Sequence, residues 1–315
     1  MNIFGMVISF AITIILMPFF IKYFIRKKIG QTTREEGPLW HEVKTGTPTM
    51  GGSVFVASII ITCLILGGVA GLLDGYLWML ILAFLLFGGI GFIDDFISIF
   101  KKQNEGLTAK QKFLAQVIFS ILLVGVGRFL QADLTFDLFG YQVTSIIWII
   151  LFAFFWITGF SNAVNLTDGL DGLSTGLSII SYLTYAFIAN RSGKDSLVFA
   201  CLVVVGALGA FLIFNKKPAK IFMGDVGSLA LGAGLAVLSL ALNRPWSLLW
   251  IGIIFVIETA SVILQVLSFK TTGKRIFKMS PIHHHFEMNG WSEGQVVLRF
   301  WLCGLVAAIT YLLIH

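Results

Sequence analysis

Apolar residues fall along this chain in ten long blocks, near 3–25, 49–73, 77–97, 111–130, 143–160, 173–189, 195–214, 226–243, 246–269 and 294–314, separated by short polar loops. A bilayer core of about 30 Å requires helices of about 20 residues. A lone segment can satisfy its own backbone in lipid only as a helix. The pattern therefore predicts an all-α polytopic integral membrane protein with about ten transmembrane helices. One domain covers residues 1–315, with little chain left for a separate soluble unit. The first block lacks a basic segment before it and a small-residue cleavage site, so it is expected to be a retained span. Between blocks four and five, residues 131–143 alternate polar and apolar around Leu138-Phe-Gly140 and predict a small hairpin.

Composition agrees with the pattern. The chain is 57% hydrophobic and 12% charged, with a mean hydropathy of +0.92. A soluble domain carries about 25% charged residues. Thirty-three glycines suit close helix packing in lipid. Cys63, Cys201 and Cys303 all lie inside apolar blocks, and neither a disulfide framework nor a metal quartet is legible. No fixed-period repeat is evident, which counts against transporters built from inverted repeats.

Charge sets the topology. Eighteen of the 22 Lys and Arg residues follow blocks 1, 3, 7 and 9 or begin block 10; the other face has Arg128, Arg191, Lys194 and Arg244. The positive-inside rule then places both termini outside and the odd-numbered loops in the cytoplasm. The net charge of +6 is thus a basic cytoplasmic surface, with no feature pointing to nucleic acid.

The acidic clusters lie on that same face, where a charge beside the bilayer reads first as functional. Asp94-Asp95 closes block 3. Neighbours on a helix point about 100° apart, so the two are expected to do different work, one holding a cation while the other accepts a proton or positions a partner. Carboxylates at a helix C-terminus oppose the macrodipole unless a cation compensates. Asp168 and Asp171, in Asn165-Leu-Thr-Asp-Gly-Leu-Asp-Gly172, have the spacing of an acidic capping box. That box explains one carboxylate, but not Asn165, Thr167 and two glycines together. Asn and Asp side chains can read a base edge, and glycine lets backbone approach a ligand.

Asp225, in Gly224-Asp225, is either a plain N-cap or, as favoured here, a metal ligand. A third oxygen donor suits Mg²⁺, which takes carboxylates, waters and substrate phosphates. Phe222 is an aromatic able to stack on a flat ring. Around Thr49, the turn Thr47-Pro-Thr-Met-Gly-Gly52 offers backbone N–H groups to an anion, with Lys44 as a nearby point charge. Lys112 either meets a lipid phosphate or snorkels. Asn215 ends block 7. Glu258 and Gln265, seven apart, share one helix face and should point into the bundle. His283, His284 and His285 are consecutive and cannot converge on one zinc without strain; contact with a diphosphate, or orientation of a carboxylate, suits them better.

Together these strings resemble the MraY family of bacterial phospho-N-acetylmuramoyl-pentapeptide transferases. The carriers are Thr47-Pro-Thr-Met-Gly-Gly52, Asp94-Asp95, Asn165 to Gly172, Gly224-Asp225 and His283-His-His-Phe-Glu287. The resemblance covers the whole chain. It implies transfer of phospho-MurNAc-pentapeptide from UDP-MurNAc-pentapeptide to undecaprenyl phosphate, giving lipid I and UMP. It further implies Mg²⁺ dependence, a homodimer, and residence in the bacterial plasma membrane. By the same likeness Asp225 is a metal ligand and Asp94 a proposed base, with Asp95 and His283 beside them in catalysis. Asn165, Asp168, Phe222 and His284 would line a nucleoside pocket; Lys44, Thr49, Lys112, Asp171, Asn215 and His285 are further expected substrate contacts. A sister transferase using UDP-GlcNAc is the alternative within the class. A transporter fits poorly, because Glu258 is the one acid deep in a block. A non-catalytic lipid scaffold leaves the acidic clusters unexplained.

Overall fold

The computed structural model describes residues 1–27, 30, 44, 46–101, 106–138 and 140–315. Lys28, Arg34 and Lys102, included in the charge pattern above, lie outside the described residues. Each apolar block forms a long helix: α1 (Asn2–Arg26), α2 (Gly52–Val69), α3 (Gly75–Lys101), α4 (Ala109–Phe129), α5 (Ile146–Thr167), α6 (Leu173–Arg191), α7 (Asp195–Asn215) and α8 (Gly224–Ala241). The ninth block is broken at Gly252 into a short α9 (Ser247–Ile251) and α10 (Ile253–Thr272). After a single turn of helix, α11 (Ile282–Glu287), the chain ends in α12 (Glu293–Ile314). The expected hairpin is present: β1 (Phe136–Leu138) pairs antiparallel with β2 (Tyr141–Val143), Asp137 opposite Gln142.

Among the described residues nine helices are long and apolar enough to cross a membrane. The tenth long helix, α6, is diluted by hydroxyls. Ser181 and Thr184 donate to the carbonyls of Leu177 and Ile180 one turn back, and Tyr182 donates to Leu231 O at 2.9 Å. Polar groups that return a hydrogen bond to their own helix can be buried in an apolar bundle. Two boundaries differ from the pattern. α3 continues to Lys101, so Asp94 and Asp95 sit inside the helix and not at its end, and the macrodipole argument loses force there. Gly172, in a left-handed conformation, precedes α6 and no side chain caps it, so Asp168 and Asp171 form no capping box.

The bundle is organised around α8. Every residue from Val226 to Ala241 is buried, and the helix packs against α3, α5 and α2. Its composition explains this: Gly227, Gly232, Gly234 and four alanines keep its surface low, so neighbouring backbones come close. Gly52 is one of the tightest points, where a Cβ would collide with the backbone nitrogen of Gly227. The far end of the bundle is tied by the hairpin. Trp246 donates to Asp137 O at 2.8 Å, and Asn243 donates to Thr135 O at 2.6 Å. All the carboxylates and histidines singled out above lie at or toward the opposite end.

Gly52→Ala should therefore force α2 off α8. Overpacking of this kind costs about 1–3 kcal/mol, and backbone against backbone has no side chain to yield. Thermal unfolding in detergent should show a clear loss for Gly52→Ala and little change for Gly89→Ala, whose Cβ meets nothing within 4 Å.

Candidate active site

Two helices, α3 and α8, bring Asp94, Asp95 and Asp225 together. One ligand oxygen from each lies within 4.8 Å of the others, and all three residues are half-buried. Glycines make the approach possible. A Cβ on Gly224, which sits at φ +72, would strike the Asp95 carboxylate, and one on Gly91 would strike the backbone of Asp225. Asp225 does not cap α8, whose N-cap is Met223. Its Oδ2 instead accepts from Lys112 Nζ at 2.8 Å and its Oδ1 from Asn165 Nδ2 at 2.7 Å. Lys112 also pairs with Asp94 at 3.1 Å. It is turned into the carboxylates and does not snorkel.

As their helical spacing demands, the adjacent carboxylates part company. Asp94 faces Lys112 and accepts from the Leu107 N–H at 2.8 Å. Asp95 accepts from the Val226 N–H at 3.3 Å, satisfying one of the free donors at the start of α8. Asn165 has its amide engaged with Asp225 and, at 2.9 Å, with Ser228 Oγ. It holds the Asp225 carboxylate, and the amide is not presented to a base edge.

A second cluster lies across the α5–α6 turn. Lys44 Nζ contacts Asp171 Oδ1 at 2.7 Å and Glu293 Oε1 at 2.5 Å, and Lys217 reaches Glu293 Oε2 at 3.0 Å. Asp171 Oδ2 accepts from Ala219 N, and the Asp171 N–H donates to Glu293. Burial works against the Lys44 ammonium, but Glu293 and Asp171 outweigh it and hold its pKa above the ordinary value. The charge expected to await a phosphate is thus already balanced by two carboxylates. Lys44 also stands 6.0 Å from the centre of the Phe222 ring.

Asp168 lies between the clusters. Burial first, then the charges of Asp225 and Asp171, push its carboxyl up to about 7, with Lys44 opposing.

The turn at Gly51-Gly52 is not an anion cradle. Its N–H groups donate to Phe222 O and Met223 O at 2.9 and 2.8 Å, while the Phe222 N–H donates to Pro48 O. This backbone lacing fixes Phe222 beside the carboxylates and leaves Thr49 buried. Asn215 is buried too, accepting from Thr175 Oγ1 and donating to Ile221 O, so it shapes the loop that carries Phe222. The three histidines point three ways. His283 meets Glu258, with 3.1 Å between Nδ1 and Oε1; His284 meets Glu287 at 2.8 Å; His285 accepts from the Lys278 N–H. Among the described residues, the cluster able to hold a metal is the carboxylate trio. Three hard oxygen donors fit Mg²⁺ well and zinc poorly.

Glu293 went unnoticed in the sequence. It follows Ser292 in a capping box with Gln295, so it reads as an ordinary first-turn acid of the last span. Its partners, Lys44 and Lys217, are 249 and 76 residues away in the chain, beyond any local pattern.

Comparison with known proteins decides the family. The model of glycosyl transferase family 4 matches residues 77–243. A phospho-N-acetylmuramoyl-pentapeptide-transferase of Lactobacillus gasseri is 56% identical over 310 residues, covering 97% of this chain and 96% of that protein. The chain belongs to the phospho-N-acetylmuramoyl-pentapeptide-transferase family. Proteins of that name from Lactobacillus johnsonii and Lactiplantibacillus plantarum are 55% and 54% identical, over 97% and 96% of this chain and 96% and 94% of their own lengths. It is therefore a multi-pass membrane transferase of cell-wall synthesis, and the matched span contains all three carboxylates.

The raised carboxyl of Asp168 predicts a pH dependence with a defined sign. The folded protein keeps this proton to about pH 7, whereas an unfolded aspartate releases it near pH 3.9. Its contribution to stability is present at low pH and is lost as pH rises through 7. In EDTA, Asp168→Asn should gain little in melting temperature at pH 4.5 and most at pH 7.5 and above. A gain equal at both values would contradict the assignment.

Proposed function

We propose that this transferase moves phospho-MurNAc-pentapeptide from UDP-MurNAc-pentapeptide to undecaprenyl phosphate, yielding lipid I and UMP, with Mg²⁺ held at Asp225 beside Asp94 and Asp95. The observation that carries this reading is the carboxylate trio, its oxygens within 4.8 Å of one another, with Lys112 bridging Asp94 and Asp225. The site belongs on the cytoplasmic face of the bacterial plasma membrane, where a soluble nucleotide donor and a bilayer-held acceptor can meet. The basic loops support that orientation.

Both substrates are anionic, so the reaction must overcome repulsion before bonds change. When bound, Mg²⁺ supplies charge neutralisation of the diphosphate and polarises its oxygens. Asp225, held on both oxygens by Lys112 and Asn165, is the best-fixed ligand. Lys112 adds a positive charge on the α4 side, toward the lipid phosphate, and is free to transfer from the carboxylates to that anion. Asp94, next to Lys112, is placed to accept a proton or to orient the acceptor. Phe222, laced to Pro48 and Gly51, offers a ring face to uracil, with Lys44, paired to Asp171, 6.0 Å from the ring centre.

Purified protein supplied with UDP-MurNAc-pentapeptide, undecaprenyl phosphate and Mg²⁺ should release UMP and form lipid I. Turnover of UDP-GlcNAc instead would select the sister reaction. Metal and lysine compete in this reading, so their variants should move oppositely. Asp225→Asn should weaken the Mg²⁺-dependent rise in melting temperature at least about tenfold in midpoint, as expected when ligand binding to the native state is lost. Lys112→Gln should lower that midpoint while weakening the lipid substrate. An identical Mg²⁺ response in wild type and both variants would rule out this metal site.

Phe222→Ala should raise KM for the nucleotide donor about 5- to 150-fold, the range of about 1–3 kcal/mol for base stacking on an aromatic. An unchanged KM in folded protein would remove Phe222 from the nucleoside pocket.

A further inference from the structure

Glu258 is a carboxylate inside a membrane-spanning helix, and the carboxylate trio does not include it. It is 0% exposed, as is His283. The chain after α10 doubles back along that helix. Gln265 accepts from the N–H groups of Ile276 and Phe277 at 2.9 Å and donates to Phe277 O. Two turns earlier on the same face, Glu258 Oε1 lies 3.1 Å from His283 Nδ1. Glu258 and Gln265 thus form two attachment points for the returning segment that carries the histidines.

The other side of the imidazole abuts the α5–α6 turn. A Cβ on Gly169 would collide with His283 Nε2, so that nitrogen packs directly against the backbone between Asp168 and Leu170. Neither ring nitrogen and neither Glu258 oxygen makes a well-aligned hydrogen bond among the described residues. A buried carboxylate without a compensating partner is strongly disfavoured, so the 3.1 Å contact with Nδ1 is what makes Glu258 tolerable. The other charged groups around the ring are Asp168 and Asp171 on the turn, and His284 and Glu287, which pair with each other.

We infer that Glu258 is the positioning residue of His283: its carboxylate accepts a hydrogen bond from Nδ1–H and fixes the ring and its tautomer, leaving Nε2 desolvated and aimed at the Asp168–Asp171 turn. In an imidazole, the partner of one nitrogen decides the role of the other. A carboxylate behind a working histidine is the same device that orients metal-bound histidines, and its removal there costs about 10- to 100-fold. The catalytic consequence rests on the reading that this turn handles the anionic donor; the tautomer does not.

The test has two arms, so failure of the reaction and failure of the inference look different. The first is nitrogen NMR of histidine-labelled protein in bilayers, with only five histidines to resolve and His283 assigned by its disappearance in His283→Asn. Wild type should show the Nδ1–H form, and Glu258→Ala should lose it. An Nε2–H form in wild type, or one unaffected by Glu258→Ala, overturns the inference whether or not lipid I is made. The second arm is a kinetic cycle. Glu258→Gln, which keeps the side-chain shape, should lower kcat about 10- to 100-fold with donor KM and melting temperature nearly unchanged. It should have no further effect in a His283→Asn background. Gly169→Ala, pressing the ring from the opposite side, should behave in the same non-additive way. Additive losses would mean that Glu258 and Gly169 act independently of His283, and would overturn the inference.

Discussion

Three carboxylates cannot be gathered with oxygens within 4.8 Å of one another at the rim of a bilayer unless something holds them against their own repulsion. Here that is the double grip on Asp225, Lys112 on one oxygen and Asn165 on the other. Two unit charges 4 Å apart interact by about 4 kcal/mol at an effective dielectric near 20, comparable with much of a domain's net stability. Much of the surrounding bundle serves this arrangement. Glycines bring α3 and the start of α8 close enough, and the lacing of residues 48–52 onto 222–223 holds the segment just before Asp225.

The two charge clusters have different balances. Lys44 and Lys217 match Asp171 and Glu293 one for one, so that cluster is formally neutral and joins four chain segments. The carboxylate trio has one lysine for three acids, a formal deficit of two positive charges. A structural tie needs no further partner, whereas a deficit of that size attracts a dication or the cationic part of a complex. Asp168 feels both clusters: after its burial, the charges of Asp225 in one and Asp171 in the other raise its pKa.

How much could be read in advance depends on the range of the interaction. The ten helices were legible because each follows from the composition of about 20 consecutive residues. The break at Gly252 was not, since one glycine in an apolar run carries no punctuation. The carboxylates were legible as charges in costly places, and their adjacency to glycine hinted at close approach. Their partners were harder. Lys112 looked like any interfacial lysine, Asn165 like a base reader, and Glu293 like a helix-start acid, because each gains its meaning from contacts 60 to 249 residues away. The Gly51-Gly52 turn misled for a related reason: whether an N–H is free for an anion depends on what lies opposite it in space.

The hydroxyl-rich helix α6 bears on how the protein comes to be in the membrane at all. Ser181 and Thr184 bond within their own helix, but three other side chains find partners only in the finished bundle: Tyr185 bonds with Ser247, Tyr182 with a carbonyl of α8, and Thr175 with Asn215 at the end of α7. As a newly synthesised segment it has none of these, and segments of modest hydropathy partition weakly into lipid on their own. The strongly apolar α7 follows it after a turn of three residues, so the two suit entry as a helical pair. The α5–α6 turn would then be drawn to the membrane surface by the helix that comes after it, and the chain that carries Asp168 and Asp171 would take its place late in biogenesis.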